Sequence, residues 1–264
     1  MEEIKKLREL TGAGMVDCKQ ALTEANGDIE KAIEILRKKG IAKAAKRQDR
    51  EASQGLVLVA VSADKTKGYM LELNAETDFV ARNEKFQTLA NSIMTAMQTQ
   101  DASELEAVLA LPLADSTVKE NIDHLSGVMG EKLSLQRVAL LNAATVGAYS
   151  HAGGSIGVLV AVDKPDQADL AYELAMQIAA SNPRYIKPEE VPTDELDKEK
   201  DVYHEQLLKE GKPEAMIEKI MQGKVNKYYE EVCLNKQEYI KDDKKKVEQI
   251  LDGATIEKFI RFSL

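Results

Sequence analysis

The sequence predicts an α+β protein in which small antiparallel sheets are covered by helices. Three observations carry that expectation. A hairpin-then-helix unit occurs twice, three short amphipathic helices precede the first copy, and two narrow-striped charged helices interrupt the second. The expected division is a three-helix module over 1–40, a charged linker over 41–54, and core halves over 55–141 and 142–264. A helical hairpin is expected to be inserted at about 193–231.

In the N-terminal module, Ile4, Leu7 and Leu10 fall on one face of the first helix, and "TGAG" at 11–14 breaks it. Met15, Cys18, Leu22 and Ala25 recur at helical spacing in the second. Asp28, after the "NGD" turn, is placed to N-cap a third helix. That helix is expected to bury Ala32, Ile33, Ile35 and Leu36 and to stop at Gly40, a favourable residue after a helix end. So small a bundle has little apolar area and suits display of a surface rather than enclosure of a substrate.

The first core unit opens with "GLVLVAVSADKTKGYMLELNAE", two strand-like runs around a polar turn expected to contain Gly68. Phe86, Leu89, Ile93 and Met97 then share a helix face. "ASELEAVLAL" and "TVKENIDHLSGVMGEK" read as helices and "LSLQRVALL" as a strand. "VGAYSHAGGSIGVLVAVDKP" repeats the hairpin about Gly153-Gly154, and Leu170, Leu174 and Ile178 mark its helix.

The inserted pair carries Leu196, Tyr203 and Leu207 on one helix. Ile217, Met221, Val225, Tyr228 and Val232 lie on the other, with Gly211 and Pro213 between them. It reads either as an inert charged protrusion or as an arm for docking or homodimerisation.

The chain has 264 residues, 44% hydrophobic and 31% charged, with a net charge of −9. The negative balance argues against nucleic acid as a direct partner, since phosphate binding relies on clustered Lys and Arg. The basic stretch Arg37 to Arg50 is broken by Gln48 and Asp49 and reads as a solvated helical linker. "MEEIKKLREL" has no apolar core of a secretory signal, and no apolar run reaches membrane-spanning length. With Cys18 and Cys233 far apart in sequence, the expectation is a cytoplasmic protein with reduced thiols.

Motifs for catalysis are missing. There is no phosphate-binding G-x-x-x-x-G-K-[ST] loop and no G-x-S-x-G elbow. "TGAG" has Asp17 where a dinucleotide fingerprint needs its third glycine, and no strand precedes it. His124, His151 and His204 have no Cys or His at metal-ligand spacing. Neither an enzyme, a cofactor nor a metal is expected.

Attention falls instead on "NAETDFVARNEKF", residues 74–86, which holds Phe79, one of only 4 Phe in a chain without Trp. Phe79 or Val80 could pack beneath the next helix as a hydrophobic staple. Two details favour an exposed anchor. "TD" sets a short polar turn before the ring, and the next helix already has its own apolar face from Phe86 onward.

"TDFVARNEKF" resembles the signature loop of the elongation factor Ts family. "LRELTGAGMVDCKQALTEANGDIEKAI" resembles that family's N-terminal module, whose fold is like a ubiquitin-associated (UBA) domain. "SHAGGSIGVLV", "MQIAASNPRYI" and "FIRF" follow in the family's order. The resemblance implies a guanine-nucleotide exchange factor for elongation factor Tu. It implies that the loop matching Thr77, Asp78, Phe79 and Val80 dislodges Tu's magnesium. The Phe79 ring would wedge between helices of Tu's GTPase domain, with Asp78 near the ion's site. Met129, Gly130 and His151 match further contacts on that surface. Met15, Val16, Asp17 and Lys19 lie in the part of the module that touches the GTPase domain, while the second core half grips Tu's third domain. Some relatives continue past "FIRF" into a further helical segment, whose contacts are not carried over to a sequence ending at Ser263-Leu264. "HAGGSIG" is also more glycine-rich than the corresponding turn of some relatives. A UBA-type adaptor without exchange activity is the competing reading, and it leaves the large core unexplained.

Overall fold

Helices α1 (Glu2–Thr11), α2 (Met15–Glu24) and α3 (Ile29–Ala45) form the N-terminal bundle in a computed structural model that describes residues 1–211 and 213–264. Leu7, Cys18, Ala21, Leu22, Ala25, Ala32 and Leu36 make its core. Asp28 caps α3 as expected, accepting the Lys31 amide at 3.1 Å. The buried stripe is narrower than the sequence suggests. Leu10 and Met15 flank the α1–α2 turn and are exposed; Ile33, expected in the core, is exposed beside the Ala32–Leu36 line, and Ile35 is half-buried.

The third helix does not stop at Gly40. It continues to Ala45, so the stretch expected as linker is helical over its first five residues. The reason is tertiary: Gly40 sits where α3 crosses a core helix, and packing there overrides the local preference of glycine for a helix end.

The first half of the core starts with β1 (Gln54–Val61) and β2 (Lys67–Ala75), paired antiparallel from Gln54↔Ala75 to Val61↔Gly68. Gly68 therefore lies within β2 rather than in the turn. A β-carbon there would meet Val146 at 2.6 Å and Leu159 at 3.0 Å, so the glycine serves close approach of two sheets. After β2 come the short α4 (Asp78–Ala81) and then α5 (Glu84–Gln100). α6 (Leu105–Ala110) leads to the tiny hairpin β3 (Pro112–Leu113) and β4 (Ser116–Thr117). α7 (Val118–Met129) precedes β5 (Leu133–Asn142), which pairs with β2.

The second half repeats this plan with β6 (Thr145–His151), β7 (Ile156–Val162) and α8 (Ala168–Ser181). α9 (Thr193–Lys209) and α10 (Glu214–Val232) form the inserted hairpin. The short β8 (Glu238–Tyr239) and β9 (Asp242–Lys246) pair with each other. β10 (Ile256–Ser263) then joins β7. The sheet orders are β1-β2-β5 and β10-β7-β6. In each, the second strand of a hairpin is central and a strand from beyond the helix closes its free edge.

The period-2 alternation of strands assigns the layers. Val57, Met70, Leu141, Val146, Leu159, Ala161 and Phe262 fill the space between the two sheets. On the outer face of the first, Leu71, Leu73 and Ala75 pack on Phe86, Ile93 and Met97 of α5 and on α7. On the outer face of the second, Val158, Val160 and Val162 pack on Leu174 and Ile178 of α8. The result is helices, sheet, sheet, helix, the α+β architecture expected.

The inserted hairpin is held mainly by its own stripe, with Leu207, Ile217, Val225, Tyr228 and Val232 buried. At its root the Glu195 carboxylate accepts the Tyr185 hydroxyl at 2.6 Å and the Tyr228 hydroxyl, and pairs with Arg184 at 2.9 Å. The groove along the two helices, about 540 Å³, is lined by Leu196, His204, Ile217, Met221, Val225 and Tyr229 among others.

An aromatic turn at one end of the sheets

β2 ends at Ala75, and the chain turns sharply into α4, four residues long. Thr77 is its N-cap, accepting the Val80 amide at 3.4 Å. This one turn sorts the side chains. Ala81 is buried and Val80 packs against the first core cluster, while Phe79 points outward and is 83% exposed. The following helix takes its own cap from Asn83, which accepts the Lys85 amide at 2.9 Å. Asp78 pairs with Arg82 at 3.1 Å, and its side chain keeps 45% of its surface open.

The turn is tied down from outside. Glu131 accepts the Thr77 amide at 3.0 Å and the Thr77 hydroxyl at 2.7 Å. Glu76 accepts the Lys132 amide at 2.6 Å and the Arg50 guanidinium at 3.0 Å. The Lys132 amide, and then Arg50, hold the Glu76 carboxyl below the usual carboxylate range.

The residues picked out from the sequence gather unevenly around this turn. Met129 closes α7 and packs on the same core cluster as Val80, and Gly130 follows in the left-handed conformation, φ 80°, that ends the helix. The turn at Gly12 lies against the core: a β-carbon there would meet Lys85 at 2.5 Å and Val128 at 3.3 Å. That brings the start of α2 to the same region, with Met15 55% and Val16 79% exposed. Lys19 is exposed as well, whereas Asp17 is engaged with Lys43 at 3.0 Å.

His151 stands apart, on the second sheet. Its ring pairs with the Tyr149 hydroxyl at 3.0 Å. The register nevertheless carries its turn to the same end, because the Val57 amide donates to the Gly154 carbonyl at 2.7 Å beside the Gly55↔Asn74 pair. Sequence reading missed Glu76 and Glu131. Glu76 stands next to Thr77 and Glu131 next to Gly130, but adjacency says nothing of a partner more than fifty residues away.

Among the described residues, no group of three or more His, Cys, Asp or Glu side chains is arranged to hold a metal ion. No helix among them is long and apolar enough to cross a membrane.

The two packed sheets display a pinned turn with an exposed aromatic ring, and comparison with known proteins places the chain among the translation elongation factors. The family model described as "Elongation factor TS" matches residues 76–264. Elongation factor Ts of Chlorobaculum tepidum is 43% identical over 280 residues, covering 100% of this chain and 97% of that protein. Elongation factor Ts of Clostridium botulinum is 43% identical over 276 residues, covering 99% and 91%. The chain belongs to the elongation factor Ts family.

Proposed function

We propose that this chain binds elongation factor Tu carrying GDP and speeds release of the nucleotide, so that GTP can follow. The observation that carries the reading is Phe79, an 83% exposed aromatic ring on a turn whose backbone is fixed on both sides. An exposed ring on an ordered turn forfeits little conformational entropy when it inserts into a partner. In this reading Phe79 enters the GTPase domain of Tu, and Asp78 exchanges Arg82 for a place near Tu's magnesium. Val80 and Thr77 hold the turn, while Met129, Gly130, His151 and the start of α2 complete the surface. The second core half contacts Tu's third domain, and the protein works in the cytoplasm.

No bond need be made or broken. A partner that grips nucleotide-free Tu more tightly than the GDP complex must weaken GDP binding by the same factor. Magnesium neutralises phosphate charge, so displacing it removes much of the hold on the nucleotide. The test is stopped-flow release of labelled GDP from Tu, with and without the chain. Release at the intrinsic rate at every concentration would refute the reading.

A further inference from the structure

Glu131 matches none of the contact positions carried over from the family, yet it holds the N-cap of the turn with two hydrogen bonds. Its two carboxylate oxygens take both the amide and the hydroxyl of Thr77, at 3.0 and 2.7 Å. Glu76, immediately before Thr77, takes the amide of Lys132, immediately after Glu131, at 2.6 Å. Each carboxylate thus accepts the amide of the residue that follows the other. The pair is braced further. The Lys132 ammonium reaches the carbonyls of Gln48 at 2.7 Å and Arg50 at 2.8 Å, and the Ser126 hydroxyl donates to the Glu131 carbonyl at 2.5 Å.

We propose that this reciprocal carboxylate pair is a positioning device centred on Glu131, which fixes Asp78 and Phe79 relative to Met129 and Gly130 so that both segments meet Tu as one preformed surface. The inference rests on the reading of Phe79 as an anchor and names a residue which that reading does not.

The physical need is plain. A four-residue helix does not hold itself in water, because nucleating a turn fixes several dihedrals for a single hydrogen bond. The Thr77 cap to Val80 is long, at 3.4 Å, while the bonds to Glu131 are shorter and charge-assisted. The Thr77 hydroxyl accepts from Val80 and donates to Glu131 at once, so the cap and the lock share one atom. Without the lock, the ordering of residues 77–80 would have to be supplied at the moment of binding and would weaken it.

The test compares Glu131→Ala, Glu131→Gln, Thr77→Val and the double variant Thr77→Val/Glu131→Ala in the full chain. Amide hydrogen exchange is followed in the free protein, and GDP release from Tu is measured against factor concentration. We expect Glu131→Ala to speed exchange at the Thr77 and Val80 amides while the amides of α8 keep their protection. The concentration needed for half-maximal release should rise about tenfold, as loss of a charge-assisted hydrogen bond implies, with the saturating rate changed less. Glu131→Gln, which keeps one acceptor oxygen, should fall between. The double variant should be worse than either single variant but by less than the product of their effects, since the bond from the Thr77 hydroxyl to Glu131 is lost in both. Wild-type protection at Thr77 in Glu131→Ala, or single-variant effects that multiply, would overturn the proposal. A Phe79→Ala protein that releases GDP at the wild-type rate would instead sink the anchor reading, and hydrogen exchange would still decide whether Glu131 orders the turn.

Discussion

Gly40 of α3 and Gly127 of α7 cross so closely that a β-carbon on Gly127 would lie 2.6 Å from the Gly40 α-carbon. This contact docks the N-terminal bundle on the core. It is flanked by the Arg37–Glu120 ion pair at 2.6 Å and by Arg47 donating to the Ser126 carbonyl at 3.2 Å. Gly127→Ala therefore sets two effects against each other. Alanine in a helix interior gains roughly 0.5–1 kcal/mol over glycine, but the obstructing atoms are backbone and cannot rotate away. Overpacking of this kind costs about 1–3 kcal/mol, so the clash should win. We expect faster hydrogen exchange throughout α1–α3 and unchanged protection in α8. A variant with slower exchange in α3 would contradict the crossing.

What the sequence disclosed and what it hid divide along one line. Asp28 as a cap, the Phe86–Met97 face and the outward position of Phe79 depend on neighbours within a turn or two, and local spacing reveals such features. Gly40 and Gly68 misled for the same reason. Read locally, a glycine after an apolar helix marks an end, and a glycine between strand-like runs marks a turn. Both glycines instead make room for an element far along the chain, Gly127 in one case and Val146 with Leu159 in the other. The Glu131–Thr77 bond spans 54 positions and has no periodic signature, so that half of the candidate site emerges only from the fold.

The inserted hairpin should be separable from exchange on a single Tu molecule, provided its root is spared. Glu195, Leu196, Tyr228 and Val232 belong to the cluster and polar network that hold Tyr185 and Cys233, so a deletion through them would damage the second core half. Replacing residues 199–226 by a short Gly-Ser linker removes the outer part of the stripe alone. The shortened protein should keep a cooperative melt and appreciable GDP release. Loss of the cooperative transition would make the hairpin part of the fold's core.

His124 gives the docking of the bundle a pH dependence. It lies on α7 against Gly40 of α3, and its Nδ1 is buried without a hydrogen-bond partner. Burial, and then the charges of Arg37 on α3 and Lys85 on α5, push its pKa below the ordinary 6.5. Glu120, on its own helix, is already engaged by Arg37. With the folded pKa depressed, the unfolded chain binds more protons as the pH falls below 6.5, and stability must fall with it. The loss stops growing once the pH has passed the folded value. Thermal melts across that window should show the slope in the native protein and a shallower one in His124→Gln. Equal slopes would remove His124 as the cause.

Phe79→Ala separates the two roles an aromatic ring can have. Truncating a buried Phe costs about 3–5 kcal/mol of stability through lost burial and a cavity. Truncating an exposed anchor leaves stability nearly intact and can cost ~2 kcal/mol or more of binding. At 83% exposure, the ring has little burial to lose in the free protein. Val80 and Ala81 keep the turn seated on the core, and Thr77 remains held by Glu131, so the backbone should not move. We expect a melting temperature close to that of the native chain. GDP release from Tu should slow by about tenfold or more, since ~1.4 kcal/mol on a barrier is a factor of ten. Asp78→Ala should slow release too, and the Arg82 pair it loses is an exposed i,i+4 contact that contributes little to folding. A Phe79→Ala protein that melts many degrees lower yet exchanges normally while folded would make the ring a packing residue after all.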